Sequence, residues 1–191
     1  TNNWPASTAG GTNNATCRTG TGAGELPTSG LTYTWTPNSC SFGFTNVRPI
    51  TNVLFGTINN ASSASTSSLA YEDFTSSVTP ADVTKGQDYT LTVKGNTNTD
   101  NTYYYTAFFD WNNDKDFADA GESFNVGTIR NSTGADNKLA SVFLQIPAGA
   151  TVGNTRMRVI GHDGSYNTTP CASIGGNNDG QVEDYTVNLV A

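Results

Sequence analysis

The sequence predicts an all-β fold, a jelly-roll-like β-sandwich of about eight antiparallel strands preceded by an N-terminal extension. Two observations support this class. From residue 46 onward, short runs that alternate apolar and polar residues are separated by clusters of Gly, Asn, Asp and Pro. No run keeps a helical period beyond one turn. The predicted strands are residues 50–56, 69–75, 88–94, 102–111, 122–129, 139–146, 155–161 and 182–190.

Two of these strands carry additional information. Residues 102–110 place aromatic or other apolar side chains on both faces, which predicts an interior strand of a sheet. Residues 139–146 are followed by Pro147, and proline cannot donate to a ladder of hydrogen bonds, so this strand should end there.

The first 45 residues form the predicted extension, rich in Gly, Thr, Asn and Ser, and residues 46–191 form the predicted sandwich. Within the extension, residues 31–36 alternate Leu31, Tyr33 and Trp35 with threonines. Side chains alternate between the two faces of a strand, so these three would share one face. We predict a strand with one buried side.

Composition restricts the classes of partner. Lysine and arginine number 9 and aspartate and glutamate 16, which gives a formal net charge of −7. This balance argues against nucleic acid and anionic lipid as partners. No run of about 18 apolar residues occurs, so we expect no insertion into a membrane. A low charged fraction with much Thr, Asn, Ser and Gly suits a secreted β-protein.

An acidic loop follows the aromatic strand. Five carboxylates lie within residues 110–122, where Lys115 is the only cation. Carboxylates this close repel one another unless a cation lies between them, and calcium takes oxygen ligands of this kind. We predict a structural calcium ion, with a solvated acidic turn as the alternative. The predicted ligands are Asp110, Asn112, Asp114, Asp116 and Glu122.

The loop is not an EF-hand, although its first alternating positions match the opening of that pattern. Lys115 occupies the place of the turn glycine, Glu122 falls one residue late, and no helix is predicted on either side. The sequence therefore predicts a calcium-type loop on a β-scaffold.

Nothing in the sequence indicates an enzyme. Motifs of nucleophilic hydrolases, zinc peptidases and phosphate-binding loops are absent, and the only histidine, His162, has no well-placed nucleophile. Carboxylates that could serve glycoside hydrolysis fall within the acidic loop. We expect a non-catalytic protein.

The end of the chain resembles the signature of the GEVED domain, a β-sandwich module of secreted and surface proteins, mostly of Bacteroidota. Residues 179–187 carry this resemblance, with Gln181 in place of the glutamate of the naming motif. Residues 109–122, 146–159 and 50–60 match further blocks of the family in order. The resemblance covers about residues 46–190.

The resemblance implies a non-catalytic module at the bacterial cell surface or outside the cell. It also implies a disulfide between Cys40 and Cys171, which leaves Cys17 spare. The rival pairing joins Cys17 to Cys40 and ties down the extension. Within the signature, Glu183 and Asp184 point to opposite faces, and one of them is expected to approach the acidic loop or to bond Arg156 or Arg158.

Two functions compete. Residues 31–36 could complete the sheet of a neighbouring subunit, and repeated head-to-tail contacts of this kind produce open filaments. This predicts a pilus-like, self-assembling structural or adhesive protein, unless residues 31–36 pair within their own domain. The alternative is a carbohydrate-binding accessory module of a larger secreted enzyme. In that case sugar rings would stack on aromatic side chains such as Trp4, Trp35, Tyr71 or Tyr166.

Overall fold

The computed structural model describes residues 43–98, 100–171 and 178–191. These residues form eleven β-strands in two sheets, which confirms the predicted all-β sandwich. Within these ranges no helix is long and apolar enough to cross a membrane. The predicted strand at residues 31–36, with Leu31, Tyr33 and Trp35, lies outside the described residues, as do Cys17 and Cys40.

The strands vary in length from two to twelve residues. In chain order they are β1 (Asn46–Val47), β2 (Ile50–Phe55), β3 (Ile58–Ala61), β4 (Tyr71–Asp73), β5 (Ala81–Thr84), β6 (Asp88–Gly95), β7 (Thr102–Phe109), β8 (Ser123–Arg130), β9 (Ala140–Gln145), β10 (Gly153–Asp163) and β11 (Asp179–Val190).

The first sheet has the order β1-β11-β10-β7-β8, with β4 and β5 also paired to β11. The second sheet has the order β3-β2-β6-β9. Strand β7 lies between β10 and β8, so the prediction that the aromatic strand is interior is confirmed. Strand β9 ends at Gln145, close before Pro147, as predicted.

Each of the eight predicted strands coincides with an observed one, but the count and the uniformly antiparallel pairing were wrong. Strands β1, β3 and β5 were missed, and β1, β4 and β5 run parallel to β11. The physical reason is the length of β11. Its twelve residues allow three short strands to pair with it, one after another, along the same edge. Strand β3 was missed because Asn59 and Asn60 resemble a turn, whereas they pair with β2.

The main core lies between the two sheets. Tyr105 of β7 is fully buried there among side chains such as Val93 of β6 and Val159 of β10. A methyl group on Gly95 would collide with the Tyr105 hydroxyl, and one on Gly161 would press on its ring. The two glycines therefore make the space in which this tyrosine packs.

The outer face of the first sheet is also covered. Phe108, Phe117, Ile160 and Val182 form a second buried cluster on that side. Strands β10 and β11 are consequently buried on both faces over most of their length. A charge on either strand loses its water and must be paired inside the protein.

Asp184 of β11 is paired in this way. Its two carboxylate oxygens accept hydrogen bonds from Arg158 Nε at 2.7 Å and Arg158 Nη2 at 2.8 Å. Arg156 Nη1 donates to the same carboxylate at 2.9 Å, and the Tyr71 hydroxyl donates at 3.1 Å. The expectation that one signature acid bonds these arginines is confirmed for Asp184.

Replacing Asp184 by asparagine should destabilise the fold by about 3–5 kcal/mol, because Arg158 would remain buried without a counter-charge. The matched control is Asp100→Asn, which breaks an exposed pair with Arg130 and should cost at most about 1 kcal/mol. Chemical denaturation measures both free energies of unfolding. Equal effects of the two substitutions would contradict the dependence on burial.

Candidate functional site

The acidic loop, residues 110–122, joins β7 to β8 and is anchored on both faces of the first sheet. Trp111 stacks on Phe109 in the main core, with ring centroids 4.4 Å apart. Phe117 packs on the outer face, where the Arg158 guanidinium lies 5.8 Å from its ring centroid. The Thr151 backbone N–H donates to the Trp111 carbonyl at 2.8 Å. These contacts hold the loop between its two aromatic anchors.

The first and last predicted ligands are buried and hold the loop backbone. The Asp110 carboxylate accepts the N–H groups of Asp114 at 3.0 Å and Lys115 at 3.1 Å. The Glu122 carboxylate accepts the N–H of Trp111 at 2.8 Å and that of Asp119 at 3.3 Å. Both carboxylates therefore fold the loop around themselves.

Burial makes the charged forms of Asp110 and Glu122 energetically unfavourable. Loss of solvent raises the pKa of Asp110 to about 6 and that of Glu122 to about 7, and the backbone N–H bonds only partly oppose this. The negative neighbours of each group add to the rise, whereas Lys115 acts against it at Asp110. The loop thus gathers negative charge at a cost that a nearby cation would reduce.

A second group of carboxylates lies towards solvent. Ligand oxygens of Asp114, Asp116 and Asp119 all lie within 4.8 Å of one another. Asn112 Nδ2 donates to Asp119 at 2.7 Å and to Asp114 at 3.1 Å. Three converging carboxylates provide the hard oxygen donors that calcium prefers, so the donor set fits this ion.

The structure thus divides the predicted ligand set. Asp114 and Asp116 are brought together, while Asp110 and Glu122 bind backbone N–H groups and Asn112 bridges two carboxylates. Asp119 joins the converging group although it is absent from the predicted ligands. Its membership of the same acidic run was the signal available in the sequence, although Asp119 does not lie on the alternating positions 110, 112, 114 and 116.

Lys115 adopts a left-handed backbone conformation, with φ of 79°. A side chain is disfavoured in this region, which is why the EF-hand pattern has a glycine at this place in its loop. Asn113, with φ of 62°, tolerates the same region better. The departure at Lys115 therefore places a strained residue within the loop.

The signature residue Gln181 is fully buried and bonded at both ends of its amide. Its Oε1 accepts the Ile50 N–H at 2.7 Å, and its Nε2 donates to the Leu69 carbonyl at 2.8 Å and to Glu72 at 3.2 Å. The backbone donor fixes the orientation of the amide. Gln181 joins the two sheets and lies in a different network from the acidic loop.

The predicted Cys40–Cys171 pairing stays a prediction. Cys171 lies at the end of the second described range, and Cys17 and Cys40 lie outside the described residues.

The fold and the loop together define a class: a β-sandwich whose acidic loop follows a central aromatic strand. Residues 104–188 match the family model of the GEVED domain. The predicted resemblance to this family is therefore confirmed over residues 104–188. The match includes the acidic loop and the signature, and it does not extend to residues 46–103. No curated protein matches the chain.

Solved structures show only distant similarity. One is the alkylpurine DNA glycosylase AlkC of Pseudomonas fluorescens, with 13% identity over 59% of this chain and 28% of that one, and a TM-score of 0.38. The catalytic domain of LPMO Lmo2467 from Listeria monocytogenes has 15% identity over 61% of this chain and 63% of that one, with a TM-score of 0.31. A chitin binding domain from Burkholderia pseudomallei has 9% identity over 59% of this chain and 58% of that one, with a TM-score of 0.33. The chain spans less than two thirds of each, and these TM-scores are too low to carry an argument.

Replacing Lys115 by glycine should stabilise the protein by about 0.5–1 kcal/mol, because relief of the left-handed strain exceeds the entropy that glycine adds to the unfolded chain. Lys115→Ala is the control, since it removes the charge and keeps the strain. Thermal unfolding of both variants separates the two effects. A gain in the alanine variant as large as in the glycine variant would show that the charge, not the backbone, is responsible.

Proposed function

We propose that this chain is a secreted, non-catalytic structural or adhesive protein that assembles into pilus-like filaments by strand addition. The observation that supports it is strand β9, which forms one edge of the second sheet. Within the described ranges it pairs only with β6. An edge strand offers a row of backbone donors and acceptors to another chain.

The side chains of β9 suit such a role. Ala140 and Leu144 are buried in the sandwich, whereas Ser141, Phe143 and Gln145 point outward. Phe143 is 68% exposed. Strand β8 approaches the beginning of β9, where a Cβ on Gly127 would lie 3.2 Å from the Ala140 Cβ. The end of β9 around Phe143 is the more open part.

This edge lacks the usual protection. No charged residue occurs between Lys138 and Arg156. Proteins normally guard an exposed edge with lysine, proline, a bulge or an inward-pointing charge, because a bare apolar edge pairs with other chains. The edge of β9 contains no charged residue and exposes Phe143, so it is suited to pair with a strand from another chain.

The proposed donor is the strand at residues 31–36. Leu31, Tyr33 and Trp35 would supply one apolar face, and the threonines would supply the other. This alternation matches that of β9, which also has one buried and one open face. Because the donor strand and the acceptor edge are different surfaces of identical chains, the contact is heterologous and can repeat from one chain to the next.

Calcium is proposed as a structural ion of the same protein. Asp114, Asp116 and Asp119 would hold it with their converging carboxylates, and Asn112 could turn its amide oxygen towards it. The ion would neutralise the negative charge gathered in the loop and join two segments of it. It would stabilise the loop and take part in no reaction.

Other proposed roles have less support. His162 is fully buried, which is unfavourable for a catalytic base. Of the aromatics considered for glycan stacking, Tyr71 is half-buried and bonds Asp184, and Tyr166 is half-buried with its ring 5.1 Å from that of Tyr104. Trp4 and Trp35 lie outside the described residues. The glycan alternative therefore depends on those two tryptophans.

Replacing Phe143 by lysine should abolish assembly and leave the fold intact, because it places a charge on the outward face of β9. The control is Leu69→Lys, since Leu69 is 70% exposed and lies outside that strand. Negative-stain electron microscopy and light scattering measure assembly. A chain that lacks residues 1–36 should also remain monomeric and should bind a synthetic peptide containing residues 31–36. Filaments that persist in the Phe143→Lys variant would refute the role of β9.

Calcium should raise the melting temperature, and a chelator should reverse the rise. At free calcium about 100-fold above the dissociation constant, the gain in stability is about 2.7 kcal/mol. Asp119→Asn should remove most of this gain, whereas Asp88→Asn, an exposed aspartate on β6, should not. Identical melting with calcium and with chelator would argue against a bound ion.

A further inference from the structure

Glu183 of β11 is fully buried at the junction between the two sheets. Its Oε1 lies 2.8 Å from the Ser62 hydroxyl, which follows β3 in the second sheet. Its Oε2 accepts the Tyr185 hydroxyl at 2.6 Å, and that hydroxyl accepts Asn60 Nδ2 of β3 at 3.0 Å. The side chain therefore connects the signature strand to the opposite sheet through two hydroxyl groups.

The Ser62 hydroxyl has more acceptors around it than it has hydrogens. Its oxygen lies 2.8 Å from the Ile50 carbonyl oxygen and 2.8 Å from Glu183 Oε1. A serine hydroxyl donates one hydrogen and can accept others, and a carbonyl oxygen donates none. If Glu183 were a carboxylate, one of these two contacts would have no hydrogen. A hydrogen on Glu183 completes both, because it can be donated to Ser62 while Ser62 donates to Ile50.

The charges around Glu183 agree with this count. The titratable groups that face it are Glu72 of β4, Tyr105 of β7 and Tyr185 of its own strand. Glu72 is its register partner on the parallel strand, so the nearest charge has the same sign. Among the described residues no lysine or arginine bonds it, in contrast to Asp184 on the other face.

We propose that Glu183 is a neutral carboxylic acid in the folded protein, whose hydrogen completes a relay through Ser62 to the Ile50 carbonyl and thereby joins the two sheets. Loss of that hydrogen breaks the relay and leaves a buried, unpaired negative charge. The contact between β11 and the β2–β3 hairpin is therefore sensitive to alkaline pH.

The direction of the pH dependence follows from the folded and unfolded values. Burial raises the pKa of Glu183 to about 8, from an ordinary value of 4.5, and the hydrogen bond from Tyr185 only partly opposes this. The folded state then holds the proton more tightly than the unfolded state. The contribution of Glu183 to stability is complete below the unfolded value, falls as the pH rises, and is lost through about pH 8.

The decisive experiment follows the side-chain carboxyl carbon of Glu183 by NMR as the pH is raised, with Glu183→Gln used to assign the signal. The expected result is a midpoint well above that of an exposed glutamate. Ser62→Ala then tests which group, Glu183 or Ser62, donates the hydrogen bond between them. If neutral Glu183 donates to Ser62, removing the acceptor lowers the midpoint. If Ser62 donates to a carboxylate, removing the donor raises the midpoint, which would overturn the proposal.

A stability measurement gives an independent readout. The side-chain amide of the Glu183→Gln variant can donate to Ser62 and accept from Tyr185, so this variant should fold at neutral pH. Its free energy of unfolding should fall much less than that of the unchanged protein between the unfolded and the folded pKa of Glu183. Glu72→Gln is the matched control; it removes the neighbouring charge, and the decline should persist, shifted to lower pH because Glu183 is then easier to ionise. An unchanged decline in Glu183→Gln would refute the assignment.

Discussion

Strand β11 is buried on both faces over most of its length, and the buried polar side chains on it must therefore find their partners within the protein. Because successive side chains alternate between faces, the neighbours Glu183 and Asp184 meet different surroundings. Asp184 meets Arg156 and Arg158 on the outer face, where its charge is balanced. Glu183 meets hydroxyl groups between the sheets, where no described cation balances it. One strand thus contains both solutions to the same constraint: a paired charge and a group held by hydrogen bonds.

This constraint gives the GEVED signature a structural meaning. Residues 179–187 pair with β10 along one side and with β1, β4 and β5 along the other. The Gln181 side chain also hydrogen-bonds the backbone of Ile50, at the start of β2, and of Leu69, just before β4. It therefore holds both of these segments against β11. Loss of any one of these groups leaves buried partners without hydrogen bonds, which costs more than the bond itself contributes. The signature therefore marks the centre of the fold, and a binding role is better sought at the rim of the sandwich.

The local features of the fold were predictable from the sequence, and the long-range ones were not. The arrangement of apolar and polar residues along a strand is a local pattern, so β7, β9 and β11 could be found from their own residues. Strand β1 has only two residues, and it exists because the backbone of β11 lies beside it. The acidic loop shows the same division. Its negative charge follows from composition, whereas the capture of Asp110 and Glu122 by backbone N–H groups depends on how the loop folds back on itself.

The acidic loop and the edge strand β9 are physically connected. The segment that leaves β9 reaches Thr151, whose N–H donates to the Trp111 carbonyl at 2.8 Å and whose hydroxyl donates to the Asn112 carbonyl at 2.9 Å. A cation held by the loop would restrain these carbonyls, and through Thr151 it would restrain the segment that follows β9. An edge strand accepts a new partner at lower entropic cost when its flanks are already ordered. The proposed ion and the proposed strand addition would then support each other, because the same short segment carries the effect of one to the other.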